Sequence, residues 1–254
     1  MDSSILAPFQ PMGGTVGFYF KDLETGETFT HNEDAPLLAA SVIKLPVMAE
    51  AFRRMEAGQV LADERFAVRS KDILPGCGAL NFLHEGIEVT FLDLVKLMIC
   101  LSDNTATNLV IRRLGMDAIN ENHGRLGLSG TRLNRLLFDA EASARGLENT
   151  VSAAGMGKLL ELIYRGELVS KQASAAMLDI LLDQRLGGKL PLPLPRHSDV
   201  AHKTGEDEGI TNDVGLVFGA RPYVICILAN GICAPEFDRA IHAVSRAVYD
   251  YVSA

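Results

Sequence analysis

Apolar positions fall into two regimes along this chain. Near both ends they come in short runs rich in β-branched and aromatic residues, bounded by turn signals. These are TVGFYF at 15–20, the turn KDLETGE, TFTH at 28–31 and, much later, HKT at 202–204, GLVFGA at 215–220 and YVICILANG at 223–231. Such runs read as strands, because branched and aromatic side chains suit a pleated surface. Between them the apolar spacing lengthens to that of helices. One helix is expected from Ser41 to about Gly58, with Pro46 tolerable only because it lies near the first turn. Thr90 is placed to cap a second, FLDLVKLMICL, whose all-round apolarity predicts burial. A third, TATNLVIRRLG, follows the tripeptide SDN. The stretch RLLFDAEASARGLENT reads as a loop, and further helices are expected from Ser152 and Ser170. With Pro191, Pro193 and Pro195, the segment KLPLPLPRHSD reads as an extended connector, and residues 235–252 read as a closing helix.

Strands at both ends and helices between them predict an α/β architecture. Residues 1–35 and 196–254 are expected to form an α/β lobe, with an all-α lobe, 36–195, inserted into it and a cleft between the two. Composition changes this picture little: 254 residues, 48% hydrophobic and 22% charged, suffice for one substantial core. Charge narrows the partners. The net charge is -8, and no basic run exceeds the pairs Arg53, Arg54 and Arg112, Arg113, which removes the electrostatic case for nucleic acid or an anionic membrane surface. A small molecule is the expected partner. No stretch approaches the ~18 continuous apolar residues of a membrane span, and MDSSILAPFQPMGG lacks the basic and apolar regions of a signal peptide, so the expected address is cytoplasmic. Cys77, Cys100, Cys226 and Cys233 show no C-x-x-C spacing and read as reduced thiols. No residue spacing implies a metal or an organic cofactor.

Candidate chemistry begins at Ser41, a small polar residue in the apolar run LLAASVIKLPVMAEAF, with Lys44 three positions on. Ser-x-x-Lys alone carries little, since roughly one match is expected by composition in a chain of this length. Two further motifs add to it. Ser102-Asp103-Asn104 lies at the junction of two expected helices, and Lys203-Thr204-Gly205 enters an expected strand. Either tripeptide alone reads as a cap or a turn. All three, in this order and on these element types, point to one site.

With these motifs the chain resembles the class A β-lactamases and the wider penicillin-binding serine hydrolases. The resemblance runs from the first hairpin to the closing helix and includes GIEVTFLDLVKLMICLSDNTATNLVIRRLG at 86–115. It implies an antiparallel sheet lobe built from both chain ends, as in the β-lactamase and transpeptidase fold. It also implies an oxyanion hole made by the backbone N–H groups of Ser41 and Glu206. Ser41, at a helix start, lies where free N–H groups favour developing negative charge and reads as the nucleophile. Lys44, one turn on and held against other cations in a partly dry cleft, reads as the base, within hydrogen-bond reach of Ser41. Ser102 is expected to pass a proton to the leaving amine. Asn104 is expected to orient Lys44 or hold a substrate amide, and Asp103 to tie its own loop. Lys203 and Thr204 suit a substrate carboxylate or transition-state charge, while Gly205 and the Gly78 of GCGAL let substrate approach closely. His202 reads as strand packing.

Two departures bear on function. The family's deacylating Glu falls on or near Leu137, which cannot activate water. Asp139 and Glu141 follow it, and Glu141 is the expected replacement. After KTG come three acids, Glu206, Asp207 and Glu208, which would repel a carboxylate if they face the cleft and favour a substrate with a basic group. The leading expectation is a serine amidohydrolase that forms an acyl-Ser41 intermediate on a small amide or short peptide. The alternatives are a true β-lactamase and a penicillin-binding sensor that is acylated once and stalls. The short N-terminal segment leaves little room for the family's usual leading helix.

Overall fold

The computed structural model describes residues 1–254. In place of a leading α-helix the chain opens with a 3-10 stretch, Ser3–Met12, that contains Pro8 and Pro11 and stacks Phe9 on Phe237 at 4.8 Å. Next come β1 (Thr15–Asp22) and β2 (Thr28–His31). The C-terminal part contributes β7 (Asp199–Asp207), β8 (Ile210–Phe218), β9 (Tyr223–Asn230) and α8 (Ala234–Ser253). These five strands form one sheet in the order β2-β1-β9-β8-β7, antiparallel throughout. The β1–β9 ladder, with Phe18 opposite Ile227, joins the two chain ends.

Period-two alternation sorts the sheet's side chains to two cores. Phe18, Phe20, Ile225 and Ile227 face α8 and Phe9 in one cluster. Leu216, Val224, Cys226 and Leu228 face the helical lobe in the other. That lobe contains β3 (Leu37–Leu38), α1 (Lys44–Glu56), β4 (Arg65–Ala67), β5 (Glu88–Thr90), α2 (Phe91–Cys100), α3 (Asn104–Leu114) and α4 (Met116–Leu126). It continues with α5 (Ala140–Ala144), β6 (Thr150–Val151), α6 (Ala153–Tyr164) and α7 (Lys171–Leu182). Capping explains where several of these helices begin. Thr90 and Asp93 form a reciprocal box at the start of α2, and the Ser152 and Ser170 hydroxyls accept from Gly155 N and Ala173 N.

The middle segment departs from the expected pattern at three places. Two short ladders, β3–β6 and β4–β5, run through it. The expected loop after α4 holds the short helix α5, capped by Asp139. The proline-rich connector is folded rather than extended. Leu190 and Leu194 bury against α8, and Leu190 is held by Asp213 and Ser245, so this segment belongs with the sheet lobe and carries Lys189 to the edge of β7. α2 also keeps a polar edge, with Asp93 and Lys96 exposed beside buried Phe91, Leu94, Val95, Met98 and Ile99.

One buried group in this lobe predicts an acid response. His123 on α4 is 2% exposed, no hydrogen bond of good geometry reaches its ring, and burial lowers its pKa to about 4, partly offset by the nearby Thr131 backbone and the Glu50 charge. In the unfolded chain a histidine titrates near 6.5, so the unfolded state binds the extra proton first. Stability is therefore lost as pH falls from about 6.5 through about 4, by about 3 kcal/mol in all. His123→Leu should remove most of that loss, measured as the shift of the urea midpoint between pH 7 and pH 4.

Candidate active site

Ser41 lies in a 3-10 turn, Ala40–Ile43, that runs directly into α1. Its amide is among the first of the helix and has no intrahelical acceptor, so it is free to donate into the cleft. Ala40, just before it, has φ 42, and Ser102 has φ 53. Left-handed conformations at two non-glycine residues cost energy and mark backbone held in place by its surroundings.

Below Ser41 the three motifs converge. Lys44 and Lys203 are 0% exposed and Ser102 is 2% exposed. Lys44 Nζ donates to Ser102 O at 2.7 Å, to Ser102 Oγ at 3.0 Å and to Asn104 Oδ1 at 2.8 Å. Lys203 Nζ donates to the same Ser102 Oγ at 3.1 Å and to Thr204 O at 2.8 Å. Ser102 thus joins the helical lobe to β7, and two lysines share one hydroxyl with no carboxylate in contact. The cluster is costly to keep doubly charged. Burial, then the Lys203 charge, holds Lys44 well below the usual lysine range. Lys203 is brought down to about 7, by burial first, with Asp213 opposing and Lys189 adding to the shift. When the pair loses a proton, the Ser102 hydroxyl can donate to the neutral amine while it accepts from the other lysine. The hydroxyl thereby forms a path for proton transfer.

The expected Ser41–Lys44 hydrogen bond is not formed. All three Lys44 donor positions are taken by Ser102 and Asn104, and the Ser41 hydroxyl makes no side-chain hydrogen bond. Catalytic contacts of this kind often tighten only when substrate is bound. Asn104 Nδ2 donates to Pro75 O at 2.9 Å, which aims its oxygen at Lys44. Asp103 ties its loop: its carboxylate accepts from Ala79 N, Leu80 N and Ala106 N. Thr204 is buried, and its hydroxyl makes no hydrogen bond within the protein. His202 packs inside the sheet, with Nδ1 2.9 Å from Asp213 Oδ1.

Two glycines serve the fold rather than the substrate. A Cβ on Gly205 would lie 2.9 Å from Ala39 O and 3.2 Å from Val42 N, so the strand needs glycine to approach the turn that carries Ser41. Gly78 has φ +131, and a Cβ there would meet the Asp103 carboxyl at 2.4 Å. It therefore accommodates Asp103 and does not line the cleft, which Gly76 and Cys77 do.

The cleft encloses about 410 Å³, with Ser41, Cys77 and Asn104 on one side, Glu206 and Asp207 on the sheet edge, and Leu137, Phe138, Asp139 and Glu148 on the loop wall. Leu137 is pinned from both directions: its N–H donates to Asn108 Oδ1 at 2.9 Å and its carbonyl accepts from Asn108 Nδ2 at 3.0 Å. Glu141 is displaced from the site. Its side chain is 85% exposed and pairs with Arg145 one turn on, because α5 turns it outward. Of the loop acids that do line the cleft, Asp139 caps α5 and Glu148 is held by Arg135 and Ser143. The Glu148 contact escaped sequence reading because it depends on the loop closing back on Arg135, thirteen residues away.

Residues 2–252 match the Beta-lactamase enzyme family. A beta-lactamase of Rhodobacter capsulatus is 28% identical over 250 residues, which span 94% of this chain and 84% of that protein. The crystal structure of a beta-lactamase from Sphaerobacter thermophilus superposes with a TM-score of 0.91 at 31% identity and covers 99% of this chain and 96% of its own. A leucine-to-glutamate mutant of PBP-A, solved as its acyl-enzyme complex with penicillin G, superposes with a TM-score of 0.89 at 30% identity, covering 98% of this chain and 95% of its own.

Proposed function

Since the chain belongs to the β-lactamase enzyme family and is a serine hydrolase acting on amide bonds, we propose that it works through an acyl-Ser41 intermediate on a small amide or short peptide and releases the acyl group slowly. The observation that carries this reading is the buried Lys44–Ser102–Lys203 cluster beneath Ser41, set opposite a loop wall that presents Leu137.

Acylation follows from these groups. Ser41 Oγ attacks the amide carbon as its proton passes to neutral Lys44, while the N–H groups of Ser41 and Glu206 hold the developing oxyanion. The C–N bond then breaks. Its nitrogen takes a proton from the Ser102 hydroxyl, which Lys44 or Lys203 replenishes, so the amine leaves neutral. The resulting ester needs an attacking water. At Leu137 there is no carboxylate to activate that water, and Asp139 and Glu148 are engaged elsewhere in the loop. Lys44 then serves both half-reactions, and the second is the slower.

A second reading, β-lactam hydrolysis, is favoured by the named activities of the relatives. The penicillin G acyl-enzyme of the PBP-A mutant supports acylation by a penicillin as a step common to both readings. Intact-mass measurement separates them. Incubated with benzylpenicillin, the protein is expected to gain one ring-opened penicillin, located by peptide mapping to Ser41, that persists after free drug is removed. An adduct that clears within a few turnovers would make β-lactam hydrolysis the better description. No adduct with β-lactams or with activated amides and esters would overturn the acyl-Ser41 reading.

A further inference from the structure

The residue after the KTG motif carries a side chain that the acyl-transfer chemistry does not use. Glu206 lines the same cleft as Ser41, and its Oε2 lies 3.5 Å from Lys189 Nζ. Lys189 is an unusual partner for an exposed acid. Its side chain is 5% exposed whereas that of Glu206 is 66% exposed, and its other contact is a donation to Gly205 O at 3.3 Å. A buried ammonium with two long contacts is poorly satisfied and attracts an anion. It also lies near enough to Lys203 to help depress that lysine's basicity, so two lysines lie buried behind the β7 edge of the cleft. Asp207, beside Glu206 on the strand, adds a second carboxylate to the same rim.

We infer that Glu206 is a specificity-determining residue: its carboxylate, standing on the cleft wall and paired with Lys189 behind it, masks the positive charge at the β7 edge that a substrate carboxylate would otherwise meet. The cleft therefore disfavours amides that carry a carboxylate next to the scissile bond and favours neutral or cationic ones. The reason is electrostatic. An incoming carboxylate must displace Glu206 from Lys189 or accept a like charge close by, with Asp207 as a second, whereas an uncharged group meets neither cost. An amine on the substrate gains from the same two acids. This inference rests on acylation at Ser41 and names the substrate class of that site.

The test uses benzylpenicillin and its methyl ester as probes and compares their second-order acylation rates by intact mass in wild type, Glu206→Gln and Lys189→Met. The acid-to-ester rate ratio is read, so a general loss of reactivity in a variant cancels. Glu206→Gln should raise the ratio roughly tenfold. Lys189→Met should lower it, because Glu206 then faces the cleft without its counter-ion. Melting curves for both variants check that each is folded. Adduct formation with an unchanged ratio in all three proteins overturns the role of Glu206 and leaves the Ser41 reading standing. If Lys189→Met fails to fold, the Glu206→Gln ratio decides alone. Absence of adducts with both probes in every protein removes the Ser41 reading and this inference together.

Discussion

Ser41→Ala is expected to leave a folded protein that forms no covalent adduct with any substrate or β-lactam, with turnover reduced by at least about a thousandfold. Ser41 makes no side-chain hydrogen bond in the free protein and stands in the cleft at the head of α1, so its hydroxyl contributes little to folding. The buried Lys44–Ser102–Lys203 cluster beneath it does not depend on that hydroxyl and should remain intact. The melting temperature of the variant should therefore match that of wild type closely. Intact mass after incubation with benzylpenicillin checks the chemistry. A variant that still acquires the adduct, or retains a tenth of the wild-type rate, would show that another group attacks the carbonyl. Cys77, whose thiol is the strongest other nucleophile among the residues that line the cleft, would be the first to examine.

Lys44→Met should slow acylation by roughly a hundred- to ten-thousandfold, the range typical of a lost general base, and should also change its pH dependence. Burial and the neighbouring Lys203 charge hold the basicity of Lys44 well below the usual lysine range, which favours the neutral amine that a base must be. Protonation as pH falls removes the base. The wild-type acylation rate should therefore rise with pH through a limb that belongs to the coupled Lys44–Lys203 pair, and that limb should flatten in the variant. A purely structural role would not produce the second effect. The substitution leaves Asn104 Oδ1 and Ser102 O without their donor, so a lower melting temperature is expected as well. A variant that acylates at the wild-type rate with the wild-type pH profile would transfer the base role to another group, with Lys203, acting through Ser102, as the remaining lysine in the cluster.

Much of the fold could be read from the chain because its signals are local. The hairpin strands at 15–20 and 28–31, the caps at Thr90, Ser152 and Ser170, and the closing helix rest on period, branching and capping chemistry within a few residues. The three motifs were equally legible, because each combines a fixed short spacing with an element type that the surrounding pattern predicts. Glycine chemistry was legible in part. Gly205 and Gly78 stood out in the sequence but read as room for substrate, and only the packing shows that they make room for the Ser41 turn and for Asp103.

What the sequence could not decide depends on long closures. Whether Glu141, Asp139 or Glu148 faces the cleft is set by a loop pinned to Asn108, 29 residues from Leu137, and by the Arg135–Glu148 pair. Neither contact has a local pattern. The connector around Lys189 looked extended because prolines dominate it, yet burial of Leu190 and Leu194 under α8 folds it back. That fold brings Lys189 to Glu206. In the same way, only the assembled lobes bring Ser102 and Lys203, 101 residues apart, onto one oxygen. Sequence by itself determined which groups were available and on which elements they stood. Tertiary structure decided their charges and partners, because burial and through-space proximity, rather than spacing along the chain, set the energy of an ionised group.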